Sequence, residues 1–256
     1  MVKKVLVLLL TIIICMIATA NAASSLEKEI KNDLKSFNGK VGIYAKNLKT
    51  GKEVKYNENE IFPTASTSKL VVALATYQYL YPKANEQKRY LYDTDVKYMM
   101  VISDNASFDE LLGEIEQYNP DALSKVAKDL RLKKTQVHSE EAFKKYQYHS
   151  VTTPSEMGKV FENIFLGKYL DKTKTNTLKY HLANTIFYDE IPRHMLTPVY
   201  HKVGQLDDVL CDVGVVDDGK DQILISAYTR TSQSETYASD FIANISAKLY
   251  NALRRK

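Results

Sequence analysis

Strand-like alternation at both ends of the chain, separated by a long stretch of helical patterning, is what most narrows the folds open to this sequence. Near the N-terminus Val41, Ile43 and Ala45 alternate up to the turn Asn47-Leu48-Lys49-Thr50-Gly51, and Glu53-Val54-Lys55-Tyr56 follows, the pattern of a hairpin. Past Pro198 strand patterns return at Val199–Val203, Val213–Val216 and Ile223–Tyr228. Between them the apolar spacing is helical. From Ser66 to about Tyr81, Leu70-Val71-Val72-Ala73-Leu74-Ala75 is apolar nearly all round, as a buried helix is. Thr94–Val101, Ser107–Glu116, Pro120–Leu130 and Thr153–Leu166 continue the series. Pro120 and Pro154 suit a first helical position, and Thr153-Pro154-Ser155-Glu156 adds a capping box. Ser24-Ser25-Leu26-Glu27 opens a helix at the N-terminal end on Leu26, Ile30 and Leu34. Ser232-Gln233-Ser234-Glu235 opens one at the C-terminal end on Phe241, Ile245, Leu249 and Leu253. These patterns predict an α/β fold of the α+β kind: one antiparallel sheet built from both ends, flanked by N- and C-terminal helices, with an all-helical lobe inserted. The sheet lobe takes residues 23–65 and 196–256, the helical lobe 66–195, and the cleft between lobes is where a site belongs.

Residues 1–22 read differently. Lys3 and Lys4, the apolar run from Val5 to Ile17 and then Ala20-Asn21-Ala22 make a secretory signal peptide. The run is short of the roughly 20 apolar residues of a spanning helix; a retained N-terminal anchor is the alternative. Bulky Ile14 argues against lipid attachment at Cys15. Cleavage leaves Cys211 as the one cysteine, so no internal disulfide forms. A net charge of +4, from 35 basic and 31 acidic residues, is too small for a nucleic-acid face. Nine glycines are few against an average usage of about 7%, which disfavours a glycine-rich phosphate cradle. No H-x-x-x-H, C-x-x-C or H-E-x-x-H pairing occurs, so neither metal nor cofactor is expected. A secreted or periplasmic monomer acting on a small molecule is the expectation.

Chemistry centres on Ser66-Thr67-Ser68-Lys69, an S-x-x-K at the start of the buried helix. Residues three apart share a helix face, so the Lys69 amine can reach the Ser66 hydroxyl. Unpaired N–H groups at a helix N-terminus favour negative charge on an attacking serine. The spacing alone favours the plainer reading, a capping serine and a solvated lysine, and Ser25-Leu26-Glu27-Lys28 has it too. Downstream come Ser103-Asp104-Asn105 and, ending a strand, His201-Lys202-Val203-Gly204. His201 is expected to pack or hydrogen-bond rather than catalyse, Cys211 to be a buried small hydrophobe, and Tyr77, Tyr79 and Tyr81 to be packing.

In this order the three patterns resemble the S-x-x-K, S-D-N and K-T-G elements of the class A β-lactamase and penicillin-binding protein superfamily. Gly39 to Lys69 is similar to that superfamily's opening hairpin and nucleophile helix. Val151-Thr152-Thr153-Pro154 resembles the turn after its omega loop, and Asp189 to Gly204 the approach to its third motif. The resemblance implies Ser66 as nucleophile, Lys69 as base with a pKa lowered by burial and by Lys202, and Ser103 as proton relay to the leaving nitrogen. It implies Asn105 holding the substrate amide, Asp104 bracing its loop, and Lys202 attracting the substrate carboxylate. Gly204 would lie along the substrate, and the N–H groups of Ser66 and Gln205 would make an oxyanion hole worth about 3 kcal/mol per donor.

Three departures qualify the implied activity. Val203 stands where the superfamily has a hydroxyl residue that binds the carboxylate, a loss of about 1.5–3 kcal/mol. No E-x-x-L-N pattern precedes Thr152; Glu140 and Glu141 read as solvated loop charges. Ser103 follows Ser66 at a shorter interval than in the β-lactamases, which predicts an open rim. The expected function is opening of β-lactam amides through an acyl-Ser66 intermediate, with slow turnover. A D-Ala-D-Ala peptidase acting on cell-wall peptide is the nearest alternative, and a non-catalytic descendant binding wall fragments or a partner protein the third.

Overall fold

The structure, a computed structural model, describes residues 25–255; the expected signal peptide lies outside them. Helix α1 (residues 25–36) carries the anticipated stripe, with Ile30 and Leu34 buried. The rest of the chain forms a five-stranded antiparallel sheet and its helices. Strands β1 (Lys40–Asn47), β2 (Glu53–Tyr56), β5 (Val199–Leu206), β6 (Val209–Asp217) and β7 (Gln222–Arg230) run in the order β2-β1-β7-β6-β5. A small separate ladder pairs β3 (Phe62–Pro63) with β4 (Val151–Thr152).

Both faces of the sheet are covered, which is why every residue from Ile223 to Tyr228 is buried, the polar Ser226 included. On one face Cys211, Val213, Val215, Leu224 and Tyr228 join a core with α2 (Ser68–Ala75), α3 (Glu86–Val101), α4 (Asn105–Tyr118), α5 (Ala122–Asp129), α7 (Pro154–Phe165) and α8 (Lys172–Ala183). Gly42 and Gly158 let β1 and α7 approach on this face: a Cβ at 158 would come within 2.7 Å of the Tyr44 ring. Ile43, Ala45, Ile225 and Ala227 point the other way. The C-terminal helix α9 (Glu235–Leu253) packs on β1, β6 and β7 through its buried stripe Ile242, Ile245 and Leu249.

The structure differs from expectation at several helix ends. Asn85 caps α3, its side chain accepting from the Lys88 N–H at 2.9 Å, so the helix starts well before Thr94. Asp121, not Asn119, precedes α5, leaving Pro120 outside the helix. Thr153 caps α7 as anticipated, but Glu156 turns away from a capping box to accept from the Lys133, Lys134 and Thr135 N–H groups. Two helices were hidden: α6 (Glu140–Tyr146), capped by Ser139, and α8, capped by Asp171. The α8 sequence opens Lys-Thr-Lys-Thr-Asn-Thr and shows little apolar periodicity. Among the described residues no helix is long and apolar enough to cross a membrane.

Candidate active site

Ser66 sits in a 3-10 turn, Ala65–Thr67, that runs directly into α2. Ala65 is held at φ +45°, a conformation costly for a residue with a side chain, and it aims the serine out of the helix axis. The surroundings over-determine this turn. Thr64 N–H donates to Ser150 C=O at 3.0 Å, Thr67 Oγ1 donates to Thr64 C=O at 2.6 Å, and Ser68 Oγ donates to Ala65 C=O at 2.8 Å. Every residue of α2 is buried, Lys69 included at 3% exposure.

Lys69 Nζ donates to Ser66 Oγ at 2.9 Å and to Asn105 Oδ1 at 2.7 Å, and lies 5.1 Å from the Phe108 ring centroid. Asp104 caps α4, accepting from the Ser107 N–H at 2.7 Å, which sets Asn105 at the first helical position facing the lysine. Ser103 adopts φ +57°, and its hydroxyl accepts from Lys202 Nζ at 2.8 Å. Among the described residues no hydrogen bond joins Ser103 to Ser66 or Lys69. Lys202, 1% exposed, also donates to the Val203 C=O at 2.7 Å. Its neighbour His201 is buried against Asp212, Nδ1 to Oδ2 at 2.9 Å, and reaches the Phe187 carbonyl with Nε2 at 3.1 Å. Cys211 is fully buried near the Thr64 and Gly204 carbonyls.

Strand β5 passes close against the nucleophile turn. A Cβ added at Gly204 would meet the Ser66 backbone nitrogen at 2.8 Å. A cavity of about 300 Å³ opens at this junction, lined by Thr64, Ser66, Lys69, Asn105, Phe108 and Gln205 together with Tyr148, His149, Ser150 and Leu206. Larger cavities, about 460 and 630 Å³, lie elsewhere and contain neither Ser66 nor Lys69. The structure thus brings Ser66, Lys69, Asn105 and Gln205 together at one cavity, with Gly204 packed against the Ser66 backbone beside it. Lys202 and Ser103, bonded to each other, are not among the residues that line the cavity. Tyr148, His149 and Ser150 were not foreseen: no local motif marks them, and the β3–β4 ladder delivers them through the pairing Pro63↔Val151. Glu140 and Glu141 open α6 and are exposed.

Burial pushes the Lys69 ammonium down to about 8, with Asp104 and Asp109 pulling it partly back. Lys202 is pushed down to about 7, first by burial and next by the charge of Lys69, against Asp212 and Cys211. Folding therefore releases protons from both lysines, and their penalty on stability is full below about pH 7. It fades as pH rises from there toward the ordinary lysine value of about 10.4, each pH unit being worth about 1.4 kcal/mol per lysine. Lys202→Met is accordingly expected to raise the urea midpoint at pH 6, with the advantage shrinking steadily toward pH 10. A difference independent of pH across that range contradicts the assignment.

Comparison with known proteins bears on what this arrangement is. A model of the "Beta-lactamase enzyme family" matches residues 25–88 and 80–253. Among solved structures, the chain is similar to the TLA-1 extended-spectrum β-lactamase, at 19% identity and TM-score 0.77, over 90% of this chain and 98% of that one. A β-lactamase from Chitinophaga pinensis matches at 20% identity and TM-score 0.77, over 89% and 99%. PBP-A matches at 19% identity and TM-score 0.75, over 89% and 95%.

Proposed function

Since the chain belongs to the β-lactamase enzyme family, we propose that it is an exported serine hydrolase that opens β-lactam amides through an acyl-Ser66 intermediate, acting as a secreted or periplasmic monomer without metal or cofactor. One observation carries this: the buried Lys69 amine lies 2.9 Å from the Ser66 hydroxyl at the mouth of a cavity. Burial keeps that amine neutral part of the time near pH 8, so it can take the Ser66 proton as Oγ attacks the lactam carbonyl. The oxyanion is received by the N–H groups of Ser66 and Gln205, and Asn105 holds the substrate amide. The C–N bond breaks as the leaving nitrogen is protonated from Ser103 through a bridging water, since Ser103 does not itself line the cavity, and Lys202, 2.8 Å away, replaces that proton.

The test is covalent labelling. Penicillin G added to the protein without its signal peptide is expected to raise the intact mass by one ligand, and Ser66→Ala to abolish the adduct. An adduct that survives Ser66→Ala, or neither adduct nor lactam hydrolysis from the unaltered protein at millimolar ligand, overturns the assignment.

A D-Ala-D-Ala peptidase is the second reading, favoured by the absence of any carboxylate among the residues lining the cavity. With a variant of PBP-A an acyl-enzyme complex with penicillin G has been crystallised. A long-lived adduct together with cleavage of a D-Ala-D-Ala peptide would select this reading over fast lactam turnover.

A further inference from the structure

An acyl ester on Ser66 is released only when a water is deprotonated as it attacks. Lys69 is committed to Ser66 and Asn105. Of the other side chains lining the cavity, His149 is the one with a basic nitrogen. It is also held in place with care. The Ser139 N–H donates to the His149 carbonyl at 2.8 Å, and the next carbonyl, Ser150, accepts from Thr64, two residues before the nucleophile. The imidazole stacks on Phe143 with centroids 4.4 Å apart and planes 9° apart. Its Nδ1 lies 3.4 Å from the exposed Glu140 carboxylate, which leaves Nε2 as the nitrogen without an acidic neighbour. The His138 ring lies 6.4 Å away and is itself bonded to Glu116, and Tyr148 lines the same cavity. The ring is half-exposed, so water reaches it.

Building on the acyl-Ser66 reading, we propose that His149 is the base for deacylation, with Glu140 and Phe143 as positioning residues. His149 Nε2 takes a proton from water as the hydroxide oxygen bonds to the acyl carbon. Collapse of the tetrahedral intermediate breaks the bond from that carbon to Ser66 Oγ, and the serine oxygen recovers a proton from the Lys69 ammonium formed during acylation. The imidazolium then returns its proton through solvent to Lys202, which gave one up through Ser103 during acylation. Acid product and free Ser66 result, with no further reactant.

The proposal separates two rates that a structural role would not separate. The unaltered protein, His149→Ala, His149→Asn and Glu140→Gln are labelled with penicillin G. Adduct formation is followed by mass spectrometry, and after free ligand is removed the decay of acyl-Ser66 is timed. Labelling is expected at the unaltered rate within about twofold in all four. The acyl lifetime should lengthen at least about tenfold in both His149 variants, well inside the usual reach of a general base, and severalfold in Glu140→Gln. Added imidazole should shorten the lifetime in His149→Ala but not in the unaltered protein. Equal lifetimes, a His149→Asn that decays normally, or loss of labelling in both His149 variants overturns the proposal. An unaltered protein that neither labels nor hydrolyses the lactam overturns the acyl-Ser66 reading instead, and this one falls with it.

Discussion

Lys69→Met is expected to slow acylation of Ser66 by about 10²–10⁴-fold, the range removed with a general base, while leaving the fold intact. The stem of Lys69 lies in a helix whose every residue is buried, and methionine fills that space with an unbranched apolar chain. The substitution removes a desolvated amine, so the melting temperature should hold or rise. The two oxygens it leaves, Ser66 Oγ and Asn105 Oδ1, border the cavity and can bond to water instead. Adduct formation with excess penicillin G, read by intact mass beside a thermal melt, checks both halves. Acylation near the unaltered rate would remove Lys69 from the mechanism and pass the role of base to another amine.

Gly204→Ala is expected to separate stability from activity in the opposite sense. The added methyl would sit 2.8 Å from the Ser66 nitrogen, 3.0 Å from Ala65 Cβ and 3.0 Å from Cys211 Sγ. None of these yields easily: the sulfur is fully buried, and the 64–68 turn is tied at both ends. Overpacking of this kind costs about 1–3 kcal/mol, a moderate loss by urea unfolding. The labelling rate should fall about 10²-fold in fully folded protein, because a displacement of about 1 Å at a nucleophile and its oxyanion donors has that consequence. Gly113→Ala is the control. Nothing lies within 4 Å of a Cβ there, and a glycine inside α4 costs about 0.5–1 kcal/mol relative to alanine, so stability should rise and labelling stay unchanged. Equal labelling by both variants would show that β5 does not set the nucleophile.

The sheet was legible because alternation and strand length survive in single residues: Val41, Ile43 and Ala45 are buried as a set. Spacing alone showed only that Lys69 could reach Ser66, since a helix start puts residues three apart on one face; the downstream motifs made the pair a site. The place of Asn105 was not legible: expected on the substrate amide, it bonds Lys69 through a tertiary approach that no local spacing signals. The place of Ser103 was hidden for another reason. A left-handed backbone at a serine has no local signature, and it turns the hydroxyl to Lys202. His149 was hidden by distance along the chain, since a ladder of two-residue strands, one of them containing Pro63, carries it to the site. Helices α6 and α8 were missed because polar, lysine-rich turns leave no apolar stripe to read.

The strand order also dictates when the site can exist. Strand β1 pairs with β7 from Lys40↔Arg230 to Asn47↔Ile223, and β5 reaches the nucleophile turn from the opposite end of the chain. Contacts so distant in sequence form slowly, because a long loop must close before any pairing rewards it. A growing chain that has not yet emerged past Arg230 has a bare β1 edge and no completed sheet. Ser66 and Lys69 therefore remain an unassembled pair throughout most of synthesis, and the proposed site is complete only when the last strand is in place.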